Sequence, residues 1–169
     1  AKETLAVATG YEPVGFRMPE GEITEETLRI VKELGFTYSS SLCDDDVPYV
    51  RAGAELMELP IHWELYDLPY FTFTFDPPIP PGQSRAANME QVLENWMTEL
   101  EGARRFGTLL NLQLDPQASG EQGRIFMLEQ LLAAMQAAGD VWIATGREIA
   151  DYCLQHQKNE SNGRRQNDD

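Results

Sequence analysis

Short, nearly continuous apolar runs alternate with amphipathic helical stretches along the 169 residues. This alternation narrows the fold more than any other feature. Strands separated by helices are βα units, and units joined in series build a parallel sheet. Strands apolar on consecutive residues suit a sheet covered on both faces. The strand candidates are Val14-Gly15-Phe16, Phe36-Thr37-Tyr38, residues 55–61 (with Pro60 near the end, where a strand tolerates it), residues 107–114 and Val141-Trp142-Ile143-Ala144. Between them, Thr24 caps a helix carrying Leu28, Val31 and Leu34 on one face and ending at Gly35. Met89, Val92, Leu93, Trp96, Met97 and Leu100 follow i, i+3, i+4, i+7, i+8, i+11, a helical stripe. Ile125, Leu128, Leu132 and Met135 mark another helix, which Gly139 ends. Thr145 and Glu148 fit a capping box that opens a helix through Ile149 and Cys153. The expected class is α/β, part of a barrel.

The chain is long enough for one domain with a sizeable core and too short for two. Its first residues, AKETLAVAT, read as the last turns of a helix closed by Gly10. There is no initiator Met and no N-cap before them, so the expectation is the C-terminal part of a longer chain. Residues 76–82 (DPPIPPG) are expected to be irregular. From about residue 156 the chain is polar and reads as a disordered tail, which leaves 1–155 as the folded part.

Thirteen Lys and Arg face 28 Asp and Glu, a formal charge of −15. That field repels phosphate backbones and anionic lipid surfaces, so neither nucleic acid nor a membrane is an expected partner. No apolar run approaches the ~18 residues of a membrane span. Cys43 and Cys153 can form at most one bridge and are expected to be thiols in a reducing, cytoplasmic setting.

Barrels of βα units place function at the C-terminal ends of their strands. The polar residues that follow the strand candidates are Arg17, with Pro19 two residues on; Ser39, Ser40 and Ser41, then Asp44, Asp45 and Asp46; His62, Trp63 and Asp67; Asp115 before Pro116; and Thr145. Each has a plainer reading: a surface ion pair for Arg17, a solvated loop for the aspartate run, a turn for Asp115. Trp63 and Trp96 read as packing residues, and at a rim Trp63 can also stack on a sugar ring. No H-E-x-x-H, paired Cys, G-x-S-x-G or phosphate loop occurs, so the chain shows no self-contained active site.

Four stretches carry a resemblance: GFRMP (15–19), TLRIVKELGFTYSSSLCDDDVPY (27–49), LMELPIHWELYDLPYF (56–71) and VWIATGREIADY (141–152). In order and spacing, over residues 10–155, the sequence resembles the C-terminal portion of the polysaccharide deacetylase family, the NodB-homology domain. The branch is the one with peptidoglycan deacetylase-like and allantoinase-like proteins. The resemblance implies a distorted (β/α) barrel that lacks its N-terminal strands here. It implies hydrolysis of carbon–nitrogen bonds other than peptide bonds, commonly removal of N-acetyl groups from amino sugars. It also implies a divalent metal, commonly zinc, held by one Asp and two His, with a second Asp as base. Those motifs lie upstream, so this chain alone is expected to bind no metal and to be inactive.

By the same resemblance, Arg17 in Arg17-Met18-Pro19 orients the base carboxylate, work suited to a guanidinium. Trp63 and Asp67 match the positions that shape the substrate groove, and Pro19, Asp45 and Asp46 also face it. In the fifth motif a His precedes Pro as acid for the leaving amine, and here Asp115 stands in that place. A carboxyl is less suited than an imidazole to proton donation at neutral pH. The implied partner is a glycan; the alternatives are a small amide, as for an allantoinase-like enzyme, and a glycan bound without catalysis. A barrel without its first strands would leave an unpaired edge at residues 14–16, which predicts self-association.

Overall fold

The computed structural model describes residues 1–19, 23–53, 55–72, 74–75, 78–79 and 86–167, with the backbone alone at 74–75, 78–79 and 157–167. In chain order the elements are α1 (Lys2–Thr9), β1 (Gly15–Phe16), α2 (Glu25–Glu33), β2 (Tyr38–Ser39), β3 (Tyr49–Arg51), β4 (Leu56–Glu58), a 3-10 turn (Trp63–Leu65), α3 (Leu68–Phe71), β5 (Thr74–Phe75), β6 (Pro78–Ile79), α4 (Met89–Phe106), α5 (Pro116–Ser119), α6 (Gln122–Ala137) and α7 (Gly146–Asn167). They form two units, one of Ala1–Pro60 with Ala144–Asp169 and one of Ile61–Ile143. Cys43 and Cys153 both carry thiols. Among the described residues no helix is long and apolar enough to cross a membrane.

The first unit is a mixed sheet in the order β1-β2-β4-β3. β1, β2 and β4 run parallel, with Gly15 opposite Tyr38 and Tyr38 opposite Met57. β3 lies antiparallel to β4, Val50 opposite Met57. The parallel part is the one expected; β3 is an addition, a short run after the aspartate loop. α2 supplies the crossover between β1 and β2. Its N-cap Thr24 accepts the Thr27 N–H at 3.1 Å, and Glu25 and Glu26 sit in the first turn where the helix dipole favours them. Leu28 and Val31 are buried with Leu56, and Phe16, Ile23 and Phe36 pack beside them. Leu34, expected on the same face, is 55% exposed.

α7 opens as the capping box requires. The Thr145 N–H donates to Glu148 Oε2 at 2.7 Å, and the Glu148 N–H returns to Thr145 Oγ1 at 3.3 Å. The Thr145 backbone N–H, then its hydroxyl, hold the Glu148 carboxyl below the ordinary carboxylate range. The helix continues through Asn167. The stretch contains no Pro and several good helix formers (Gln, Lys, Glu, Arg), which let a helix already nucleated propagate.

The Tyr38 ring lies between two glycines of the first unit. A Cβ on Gly15 would fall 2.1 Å from Tyr38 Cζ, and one on Gly146 would fall 2.8 Å from the Tyr38 hydroxyl. The ring therefore cannot swing away from an added methyl on one side without meeting backbone on the other. Gly15→Ala is expected to cost about 1–3 kcal/mol through overpacking. In a Tyr38→Ala background the same change is expected to cost far less, and a double-mutant cycle on melting temperature checks this.

The second unit is helical. Val92, Trp96 and Leu100 of α4 are buried against Met127, Leu128, Leu131 and Met135 of α6, with Leu65 and Phe71 completing the core. Asn88 caps α4 by accepting from Glu90 and Gln91, and Gly107 ends it at φ 69. The face of α6 is rotated from the expected one: Ile125 and Leu132 are 43% and 47% exposed, whereas Met127 and Leu131 are buried. Apolar residues surround most of this helix, so spacing alone does not choose its buried side.

Two expected strands are not strands. Residues 107–114 form no strand, and their one ladder contact is a parallel bridge from Gln113 to Tyr66. Residues 141–144 also form no strand. Leu110, Leu112 and Val141 instead lean on the helical core. A short apolar run satisfies either role, and only a neighbouring backbone makes it a strand. Within the stretch expected to be irregular, Pro78–Ile79 pairs antiparallel with Thr74–Phe75. A strand of a two-stranded ladder is an edge, where Pro is tolerated. Residues 76, 77 and 80–82 of that stretch lie outside the described residues.

Candidate functional site

In the first unit the parallel strands β1, β2 and β4 end together, and their next residues meet in one hydrogen-bonded set. Arg17, after β1, donates from Nε to the Ser40 carbonyl at 2.8 Å and from Nη2 to Ser40 Oγ at 2.6 Å. Ser40 is 5% exposed, and its hydroxyl donates to the Leu59 carbonyl after β4, at 2.8 Å. Ser41 Oγ accepts the Met18 N–H at 3.0 Å, and the Ser39 hydroxyl reaches it at 3.1 Å. Beneath them lies Glu58, 1% exposed, whose Oε1 accepts the backbone N–H groups of Ser41 at 2.5 Å and Leu42 at 3.0 Å. The carboxylate thus shapes the turn leaving β2, and that turn holds the arginine. Pro19 is exposed two residues beyond Arg17.

The aspartate loop has local duties. Asp44 accepts the Tyr49 hydroxyl at 2.8 Å, and the phenol is pushed above its ordinary range, first by burial and then by that carboxylate. Asp45 Oδ1 accepts the N–H of Asp46 at 2.8 Å and of Val47 at 3.3 Å, closing a turn. Both Asp45 and Asp46 are exposed.

In the second unit the structure brings Asp67 and Asp115 together. The chain pairs as it passes from the 3-10 turn to the segment before α5: the Gln113 N–H donates to the Leu65 carbonyl at 2.8 Å, and the Asp67 N–H to the Gln113 carbonyl at 3.1 Å. Asp67 is fully buried, and its Oδ2 accepts the Asp115 N–H at 2.9 Å and the Ser119 hydroxyl at 2.5 Å. Its Oδ1 is buried without a partner among the described residues. The half-buried Asp115 caps α5, accepting the Gln117 N–H on Oδ1 at 2.7 Å. Arg124 donates to the Ala118 carbonyl and stacks over the Phe71 ring, 4.8 Å from its centroid.

Trp63 is 65% exposed, so the packing role open to it from the sequence is not the one it takes; Trp96, fully buried, takes that role. His62 lies 3.9 Å from the Glu64 carboxylate. Of the candidate residues, Arg17, Pro19, Asp45 and Asp46 therefore belong to the first unit, and Trp63, Asp67 and Asp115 to the second. Glu58 was not legible as a site residue. A charged residue inside an apolar run (LMELPI) is the one signal that marked Glu58.

Among the described residues no group of three or more His, Cys, Asp or Glu side chains stands where it could hold a metal ion. Of the two histidines, His62 lies near Glu64 and His156 is engaged with the Tyr152 carbonyl at 2.8 Å. The described residues therefore do not fit a centre of one Asp and two His.

No family model matches the chain, and no curated protein matches it. Solved structures do. A Mycobacterium smegmatis protein assigned to the polysaccharide deacetylases is 33% identical, with TM-score 0.81 over 93% of this chain and 54% of its own. A Pseudomonas aeruginosa PAO1 protein with the same assignment is 26% identical, with TM-score 0.72 over 89% and 49%. A Puue allantoinase is 21% identical, with TM-score 0.72 over the same shares, a likeness of fold. The chain spans about half the length of the structures it matches.

Proposed function

From the premise that this chain has the polysaccharide deacetylase fold, over about half the length of the proteins that share it, we propose that it serves hydrolysis of carbon–nitrogen bonds other than peptide bonds, by removal of N-acetyl groups from amino sugars. The observation that carries this reading is the 33% identity across 93% of the chain to the Mycobacterium smegmatis structure. Amide hydrolysis needs an activated water, a polarised carbonyl and a proton for the leaving amine. Arg17, at the C-terminal end of β1, is the group that orients the carboxylate base. Trp63 offers an exposed indole face for a sugar ring. Asp115 stands at the position of the acid. A divalent metal such as zinc belongs to the same reading, and the described residues of this chain do not supply its centre. The setting is cytoplasmic.

Acetate release from N-acetylated chitooligosaccharides and ring opening of allantoin, each followed on the full-length protein with and without zinc, test the reading. Acetate release supports it; ring opening alone assigns the small-amide alternative. Arg17→Ala in that protein is expected to lower kcat about 10- to 100-fold, as for other groups that orient a reacting residue. The loss of stability is expected to be near 1 kcal/mol, since the hydrogen bonds to Ser40 are partly exposed. A fall in melting temperature with kcat unchanged would make the arginine structural.

One observation favours a second reading, a non-catalytic glycan binder. Asp115 Oδ1, the atom expected to face a leaving amine, is occupied in capping α5, where it accepts the Gln117 N–H. Binding of a chitooligosaccharide without turnover in the presence of zinc would select it.

The edge of the sheet bears on partners. β1 is terminal in the order β1-β2-β4-β3, and an edge strand is a template for another backbone. The proposal is self-association of the 169-residue chain through this edge. The charge of −15 opposes it only over a Debye length of ~8 Å at physiological salt, so light scattering is expected to show larger species as salt rises. A monodisperse 19.1 kDa species at low and high salt would count against it.

A further inference from the structure

We propose that Ser119 is a positioning residue for Asp115, acting with the buried carboxylate of Asp67 as a clamp on the turn that carries it. Ser119 is 2% exposed and Asp67 is fully buried. Their contact, the Ser119 hydroxyl on Asp67 Oδ2, shares its acceptor with the Asp115 N–H. One oxygen therefore ties both ends of the turn: the residue that opens α5 and the residue that closes it, with Asp115 held at its backbone. The Gln117 N–H on Asp115 Oδ1 then fixes the side chain from within the turn.

Oδ2 accepts both donors, and burial keeps water from competing for it. Asp67 Oδ1 has no partner among the described residues, so Oδ2, with its two donors, carries the anchoring. Without the Ser119 hydroxyl, Asp67 Oδ2 keeps only the Asp115 N–H, and the closing end of α5 loses its tie to the buried carboxyl. A carboxyl on a loosened turn spends less time at the position where a leaving amine needs it.

The inference rests on the reading of Asp115 as the residue that faces the leaving amine, and its test is arranged so that the two can fail separately. The first measurement needs no turnover: amide hydrogen exchange on the full chain. Ser119→Ala is expected to speed exchange at Asp115 and Gln117 about tenfold or more, while the amides of α4 and α6 keep their rates. Ser119→Thr, which keeps the hydroxyl, is expected to restore protection. If Ser119→Ala does not fold, Asp67→Asn keeps an acceptor of the same shape without the charge and is expected to give a smaller loss at the same two amides. Unchanged exchange at Asp115, or the same acceleration throughout the second unit, overturns the clamp. The second measurement uses the full-length protein where it releases acetate: kcat is expected to fall about tenfold in Ser119→Ala with KM unchanged and to return in Ser119→Thr. A rise in KM at constant kcat overturns the positioning role. Protein that shows the exchange pattern without turnover keeps the clamp and removes the deacetylase reading instead.

Discussion

Glu58→Ala is expected to cost the chain about 3–5 kcal/mol, a large share of the ~5–15 kcal/mol that holds a domain of this size together. The carboxylate is 1% exposed on the central strand β4, and its Oε1 is the acceptor for two backbone N–H groups, Ser41 and Leu42. Alanine leaves both partly buried donors without their acceptor and opens a cavity under the turn. The damage reaches the candidate site, because that turn presents Ser40 to Arg17. Glu58→Gln keeps an oxygen at the same place and is expected to lose less than half as much. Chemical denaturation of the three proteins separates the cases. Equal costs for Ala and Gln would mean that the charge, and not the pair of hydrogen bonds, is what the turn uses.

Trp96→Ala is the second large effect, also about 3–5 kcal/mol, the range for emptying an aromatic site in a core. Trp96 is fully buried at the centre of the α4–α6 packing, with the Tyr70 ring edge-on at 6.2 Å. Its Nε1–H donates to the Glu64 carbonyl at 2.8 Å, so the indole also holds the 3-10 turn that carries the exposed Trp63. Trp96→Phe fills most of the volume and drops the donor. The expected order of stability is wild type, then Phe, then Ala, read from the midpoint of urea unfolding. A Phe variant as stable as wild type would show that the hydrogen bond to Glu64 adds nothing.

The longer helices were legible because they carry their own signals, whereas the one-turn helices α3 and α5 were not expected. Thr24, Asn88 and the Thr145–Glu148 pair cap three of them, and Gly10 and Gly107 end two with positive φ. Sheet membership was not legible in the same way. Residues 14–16, 36–38 and 55–61 do contribute strands, while residues 107–114 and 141–144 form none, and Leu110, Leu112 and Val141 pack on the helical core. A strand is defined by a partner backbone, and nothing local in a run of Leu and Val records whether one is there. β3 shows the converse, since Tyr49-Val50-Arg51 gains its identity from Glu58, Met57 and Leu56 across the ladder.

The candidate site divides along the same line. Arg17 stands after β1 as expected, because the end of a strand can be counted along the chain. The partnership of Asp67 with the Asp115 N–H joins residues 48 positions apart, and no periodicity in the sequence reports a contact of that kind. Glu58 stayed hidden because alternate residues of a strand usually point to opposite faces, and a lone Glu in an apolar run reads as the solvent side. Its place between β2 and β3 buries it instead.

The Tyr38 ring between Gly15 and Gly146 sets an order of events in folding. One glycine belongs to the first strand and the other to the first turn of the last helix, and all of residues 61–143 lie between the two stretches that make up the first unit. The Arg147 guanidinium on the Glu12 carbonyl, at 3.1 Å, spans the same gap. The second unit is continuous in sequence and rich in helix, so its contacts are short-range and form quickly. The first must close a long loop before the ring finds its second glycine, and the chain entropy lost in that closure is recovered only when α7 docks on β2 and β4. Tyr38 is thus a latch that engages late, and the slowest protection in a refolding experiment belongs to the amides around residues 38 and 146.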